Sequence, residues 1–173
     1  MNKCVFLDRD GVINVDHVDY TYRLDHFFII DGVIDALKKL KDAGYLLVII
    51  TNQSGISKGI YTYADVVRCH HYFQEQCGYL IDGFYYSPYH EKFSNSLSRK
   101  PGSLMFEKAI ARFDIDVTQS WMIGDKERDL VPSDKLGIKG ILISDKEEGV
   151  RCEERVGDLR EAAERILSEV KQA

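Results

Sequence analysis

Short apolar runs alternate along this chain with longer stretches of helical period. Cys4-Val5-Phe6-Leu7, Tyr45 to Ile50, Phe84 to Tyr86, Ser120 to Ile123 and Lys139 to Ile143 are the short runs. Runs of this length, bounded by turn residues, read as strands buried on both faces. Between them, Val33, Ile34, Leu37 and Leu40 recur at helical spacing over Val33 to Ala43, and Gly44 supplies a stop. Tyr63 to Gln76 reads as a second helix with Thr62 as its N-cap. Leu104 to Phe113 is a third, with Ser103 placed to cap it. Glu127 to Leu136 is a fourth, where Pro132 is expected to kink the helix or shift its start. Leu159 to Val170 is a closing amphipathic helix. Strands alternating with helices predict the α/β class, a three-layer doubly wound parallel sheet of Rossmann-like form.

Composition narrows the setting. The chain has 173 residues, enough for a single domain over 1–173, with 45% hydrophobic and 29% charged residues. Its formal net charge of −5 argues against non-specific nucleic-acid or anionic-membrane binding. No run is long and apolar enough for a membrane span, and the first strand starts too early for a signal peptide, so the cytoplasm is the expected location. The four cysteines, Cys4, Cys69, Cys77 and Cys152, match neither a metal knuckle nor a redox motif. Cys4 reads as a core residue, and Cys69 and Cys77 as helix packing. His70, His71 and His90 lack partners at ligand spacing and read as surface or loop residues. Tyr20, Tyr22, Phe27 and Phe28 read as loop packing. The charged run from Asp145 to Arg165 reads as a solvated face.

Chemistry gathers at the strand ends. Asp8-Arg9-Asp10-Gly11-Val12 follows the first strand, so two carboxylates leave its C-terminal end two residues apart. In an open parallel sheet the ligand crevice lies outside the carboxyl ends of the strands. Paired carboxylates there suit a hard divalent cation and leave an oxygen for nucleophilic or acid/base work. Other strand ends carry Thr51 and Asn52, Arg99 and Lys100, and Asp125 after Gly124. Carboxylates, a hydroxyl, an amide and cations on one edge suit phosphoryl chemistry on a bound metal. By itself Asp125 reads first as a helix N-cap, and Asp8 and Asp10 on the same edge turn the reading to a metal ligand.

Asp8-Arg9-Asp10-Gly11-Val12, Thr51-Asn52, Lys100 and Gly124-Asp125-Lys126-Glu127-Arg128-Asp129, in that order, resemble the haloacid dehalogenase superfamily, specifically its Mg²⁺-dependent phosphatases. The longer matches at Phe6 to Asn14, Asp31-Gly32-Val33, Thr51 to Ile56 and Arg99-Lys100-Pro101 resemble the subfamily of heptose bisphosphate and histidinol-phosphate phosphatases. The resemblance implies a haloacid dehalogenase core. It also implies removal of the C7 phosphate from D-glycero-D-manno-heptose 1,7-bisphosphate, with histidinol phosphate as the alternative substrate and a silent binding protein as a third reading. It implies Asp8 as nucleophile, Asp10 as acid and base, and Mg²⁺ held by Asp8, the Asp10 carbonyl and Asp125. Thr51 and Lys100 then hold the phosphoryl oxygens. Asp16, His17, Asn52, Gln53, Ser54, Arg99 and Lys126 are the expected substrate contacts. Asp129 is expected either to orient a metal water or to cap its helix.

The relatives carry a zinc loop of Cys-Pro-His and Cys-x-Cys type. Here the matching residues are Ser87-Pro88-Tyr89 and Ser96-Leu97-Ser98, and neutral hydroxyls do not replace thiolates. No structural zinc is therefore expected, and Tyr85, Tyr86, Tyr89 and Phe93 are the expected anchors of that loop. The intervals between motifs hold no room for a cap domain. The resulting site is open, screened by Asn14 to Phe28 and Ser87 to Ser98. An open site admits a polynucleotide end, but the acidic balance and the lack of a basic, aromatic stripe weigh against nucleic acid. The expected partner is a small-molecule phosphate ester, and the expected state a monomer without membrane contact.

Overall fold

β1 (Cys4–Leu7) is the innermost strand, and every one of its side chains is buried. The computed structural model describes residues 1–144 and 154–170. Successive strand residues face opposite sides. Val5 and Leu7 therefore enter one core, and Cys4 and Phe6 the other. β2 (Leu46–Asn52) divides in the same way, Leu47 and Ile49 against Val48 and Ile50. A strand buried on both faces has no polar alternation, which is why these runs read as continuously apolar.

β3 (Gly83–Ser87), β4 (Trp121–Gly124), β5 (Lys139–Ile143) and β6 (Arg155–Val156) complete a six-stranded parallel sheet in the order β3-β2-β1-β4-β5-β6. One face is covered by α1 (Val33–Asp42), α2 (Tyr63–Gln76) and α5 (Leu159–Val170), through residues such as Leu37, Phe73 and Ile166. The other is covered by α3 (Leu104–Phe113) and α4 (Glu127–Lys135), through Phe106 and Leu130, with the Phe6 and Phe106 rings 5.1 Å apart. The chain builds outward from β1 to β3, then returns to place β4 on β1's other side. That reversal puts a topological switch point between the ends of β1 and β4.

The expected class and layers hold. Five of the helix and strand spans, β1, α2, α3, β5 and α5, have the expected bounds. Thr62 caps α2 in a reciprocal box with Asp65, and Gly44 ends α1 with φ of 83°. Other expectations are corrected. β2 runs on through Thr51 and Asn52, so these residues end the strand instead of following it. Ser103 makes no cap bond to the backbone, and its hydroxyl donates to Glu107 instead. α4 starts at Glu127 as expected but ends at Lys135, and it passes through Pro132, which removes the amide that would have bonded the Arg128 carbonyl. Of the charged run from Asp145 to Arg165, residues 145–153 and with them Cys152 lie outside the described residues. The remainder is not simply solvated: it forms β6 and buries Leu159, Ala162 and Ala163. No helix among the described residues is long and apolar enough to cross a membrane.

His70 also departs from expectation, since it is buried, not on the surface. Its ring stacks on Phe84 at 4.7 Å, and Nε2 has no hydrogen-bond partner. Burial, aided by Arg9, pushes its pKa down to about 3. Below the ordinary histidine pKa the unfolded chain takes a proton that the folded chain refuses. Stability therefore falls as pH drops from about 6.5 toward 3, with a slope of up to about 1.4 kcal/mol per pH unit from this one group. Urea denaturation across that range is expected to show a shallower acid decline for His70→Phe than for the unmodified protein.

Candidate active site

Gly11 is what lets the end of β1 turn back on itself. Its φ is 85°, a conformation that L side chains rarely adopt. The turn is closed by Gly11 N–H donating to Asn14 O (2.8 Å) and Ile13 N–H donating to Arg9 O (2.8 Å). Asp8 N–H donates to Ile123 O of β4 (2.9 Å), so the first aspartate is fixed beside the β4 end. A Cβ on Gly11 would lie 2.5 Å from Asp125 Oδ2, and one on Gly124 would lie 2.4 Å from Asp129 Cβ. The two glycines allow the β1 and β4 ends to close on each other.

Asp8, Asp125 and Asp129 converge there, each offering an oxygen within 4.8 Å of the others. Lys100 sits among them, 1% exposed, with Nζ 2.8 Å from Asp8 Oδ1, 2.8 Å from Asp129 Oδ1 and 2.8 Å from Ile50 O. Burial opposes the charge on Lys100, but Asp129 and Asp8 outweigh it and hold the ammonium above its ordinary pKa. The carboxylates remain over-crowded. Burial, with Asp129 adding to it and Lys100 opposing, pushes Asp8 up to about 7. Burial also lifts Asp125 to about 6, opposed by Lys126. Among the described residues, buried Asp125 Oδ1 has no hydrogen-bond partner. Surplus negative charge and an orphaned inward oxygen fit a hard divalent cation held by Asp8, Asp125 and Asp129.

The Asp10 carboxylate lies outside this group. Its Oδ1 accepts from Arg9 Nη2 (2.9 Å), Arg9 Nε (3.2 Å) and Asn14 Nδ2 (2.9 Å), and its Oδ2 from Gln53 Nε2 (3.1 Å). Any cation contact from residue 10 is thus left to its backbone carbonyl. Arg9 is 1% exposed and also donates to Thr21 O (2.6 Å), tying Asp10 to the 14–28 loop. Sequence reasoning gave Arg9 no role. The available signal was the strand alternation, which sends residue 9 away from residues 8 and 10. Asp129 is the other residue undervalued from sequence. It makes the cap bond considered for it, Oδ2 accepting from Lys126 N–H (3.1 Å), while Oδ1 faces Lys100 in the carboxylate cluster.

A cleft of about 350 Å³ opens over this floor. Asp8, Asp10, Thr51, Lys100, Asp16, His17, Asn52, Ser54, Arg99 and Lys126 line it. Gln53 does not line it. It is buried beneath, donating to Thr51 Oγ1 (3.0 Å) and accepting from Tyr61 OH (2.8 Å). Asn52 clamps the β2 end to the next motif, exchanging hydrogen bonds with Lys100 N–H (2.9 Å) and Lys100 O (3.1 Å). Lys126 Nζ reaches Asp16 (2.8 Å) and Asp125 (3.3 Å), so it ties the 14–28 loop across the mouth. Tyr22 stacks on Tyr61 (5.1 Å), as loop packing predicts.

Of the expected anchors of the 87–98 loop, Tyr85 packs on the core and Tyr86 against His70 and Tyr63, but the other two do not. Tyr89 and Phe93 are 42% and 59% exposed. Three hydroxyls hold the loop instead, Ser98 Oγ lying 2.9 Å from Ser87 Oγ and 2.8 Å from Ser96 Oγ. The residues aligned with thiolate positions therefore do meet in space, joined by hydrogen bonds. His90 Nδ1 is occupied in accepting from Lys92 N–H (3.1 Å).

Parallel sheet, switch point and clustered carboxylates define a haloacid dehalogenase-type hydrolase, and comparison with known proteins agrees. The haloacid dehalogenase-like hydrolase family model matches residues 3–131, and a second model of HAD-like hydrolases matches 97–173. The chain belongs to this family, among its phosphatases. It is 41% identical over 146 residues to the D-glycero-beta-D-manno-heptose-1,7-bisphosphate 7-phosphatase of Haemophilus ducreyi, covering 79% of this chain and 80% of the relative. It is 43% identical over 138 residues to the enzyme of the same name from Haemophilus influenzae, covering 75% and 74%. Among solved structures it superposes with TM-score 0.85 and 26% identity on D,D-heptose 1.7-bisphosphate phosphatase from B. bronchiseptica complexed with magnesium and phosphate, covering 96% of this chain and 99% of that one.

Gly11→Ala tests the close approach of β1 and β4. The added methyl is expected to displace Asp125 and strain the turn. Titration of phosphatase activity with Mg²⁺ should show a raised metal requirement in this variant, while circular dichroism shows the sheet intact.

Proposed function

We propose that this chain removes the 7-phosphate from D-glycero-D-manno-heptose 1,7-bisphosphate, through an aspartyl-phosphate formed on Asp8. The observation that carries the reading is the floor of the cleft, where Asp8 is pinned by fully buried Lys100 beside two further carboxylates. The heptose bisphosphate relatives supply the substrate class.

In this reading an Asp8 carboxylate oxygen attacks phosphorus as the bond to the sugar oxygen breaks. Asp10 gives the leaving alkoxide its proton, then takes one from the water that hydrolyses the acyl phosphate. Arg9, Asn14 and Gln53 aim the Asp10 carboxylate by binding its oxygens. Lys100 orients Asp8, and with Thr51 it offers positive charge and a hydroxyl to the phosphoryl oxygens. Gln53 fixes Thr51, and Asn52 fixes the Lys100 backbone, so both act from behind the site. Asp16, His17, Ser54, Arg99 and Lys126 line the walls, where a phosphorylated sugar would lie. A Mg²⁺ ion held by Asp8, Asp125 and the Asp10 carbonyl, with Asp129 alongside, would offset repulsion between carboxylate and phosphate.

Phosphate release should be measured over heptose 1,7-bisphosphate, histidinol phosphate and other small phosphomonoesters, with Mg²⁺ and with a chelator. The heptose bisphosphate is expected to be turned over fastest and only with the metal. A faster rate on histidinol phosphate would transfer the assignment to the amino-alcohol ester. Asp8→Asn is expected to fold normally and lose turnover, by a factor of about 10⁴ or more. Near-normal activity in that variant would exclude the covalent route.

A further inference from the structure

A sugar bisphosphate brings two dianions, and the Asp8 centre accommodates one of them. The second needs a cation elsewhere in the same cleft. Most of the cations lining it are committed within the protein. Lys100 is saturated by Asp8, Asp129 and Ile50 O. Lys126 is held by Asp16 and Asp125, and Lys58 Nζ donates to Tyr20 OH (2.7 Å). Arg99 Nε donates to Glu91 (3.1 Å) and its Nη1 to Tyr89 O (3.1 Å).

Arg128 differs. It lines the cleft, its side chain is exposed, and its guanidinium forms no hydrogen bond or ion pair among the described residues. It stands on the rim with Glu91, whose carboxylate is favoured chiefly by Arg99 and to a smaller degree by His90 and Arg128. Helix stability does not explain it, because a cation in the first turn of α4 works against the helix dipole. A guanidinium matches phosphate geometry with two parallel N–H donors.

We propose that Arg128 is a specificity-determining residue that binds the phosphate of the bisphosphate that is not cleaved. This rests on the reading of the substrate as a sugar bisphosphate. It predicts that Arg128 sets the preference for bisphosphate over monophosphate and takes no part in the chemical step.

Steady-state kinetics on heptose 1,7-bisphosphate and heptose 7-phosphate test it, using the full chain with Mg²⁺ and the variants Arg128→Ala and Arg128→Lys. The expected result is a fall of about 10- to 100-fold in the bisphosphate-to-monophosphate ratio of kcat/KM for Arg128→Ala, carried by KM. Arg128→Lys should recover part of the ratio, which a purely structural role would not produce. An unchanged ratio, or an equal loss on both substrates, overturns the proposal while leaving the substrate reading intact. An unmodified protein that shows no preference for the bisphosphate overturns the substrate reading, and the role of Arg128 with it.

Discussion

A lysine almost wholly buried at the floor of the cleft holds two carboxylates and a strand carbonyl at once. Lys100 is buried between Asp8, Asp129 and Ile50 O, its Nζ 2.8 Å from an oxygen of each. An ammonium taken out of water is costly unless it is paired and fully hydrogen-bonded. Because its partners come from three elements, the ends of β1, β2 and the α4 turn are drawn to one point. Removing any one acceptor would leave a buried charge short of a partner. The carboxylate oxygens left unpaired by Lys100 are the ones that fit a divalent cation. The same interaction thus organises the site and leaves it with surplus negative charge.

The sheet supplies the platform for this arrangement. With β1 and β4 adjacent and their helices on opposite faces, the space above the two strand ends is not roofed by either crossover. The walls are loops tied down by polar contacts. Lys126 bridges to Asp16, Arg9 reaches the Thr21 carbonyl, and serine hydroxyls close the 87–98 loop. Hydroxyls joined by hydrogen bonds fix a loop more weakly than a metal with four ligands does. Half-buried side chains, backbone bonds and the Arg99 contacts to Glu91 and Tyr89 O supplement them here.

Much of the fold was legible because it rests on local pattern. Strands buried on both faces appear as unbroken apolar runs, and helices show a 3.6-residue period. Thr62 and Gly44 mark ends by capping chemistry that involves near neighbours. The misreadings have identifiable causes. His70 was placed at the surface because its polarity says nothing of the Phe84 ring that covers it. β6 is two residues long and is formed by pairing with β5, not by its own propensity. Tyr89 and Phe93 look like anchors by hydrophobicity, yet the loop is closed by neighbours eleven and two residues from Ser98.

The order of the motifs, the layer architecture and the identity of the strand-end residues were set by sequence alone, since alternation and turn chemistry depend on residues close along the chain. Tertiary structure alone decided the division of labour. Gln53 went beneath the cleft, Asn52 became a clamp, Arg9 came to hold Asp10, and Asp129 joined the carboxylate cluster. It also left the guanidinium of Arg128 on the rim without a hydrogen-bond or ion-pair partner among the described residues. Those outcomes turn on groups far apart in the chain, such as Asn52 with Lys100, Gln53 with Asp10 and Lys100 with Asp129, satisfying one another's hydrogen bonds and charges. Such pairing is a property of distance in space that sequence spacing does not encode.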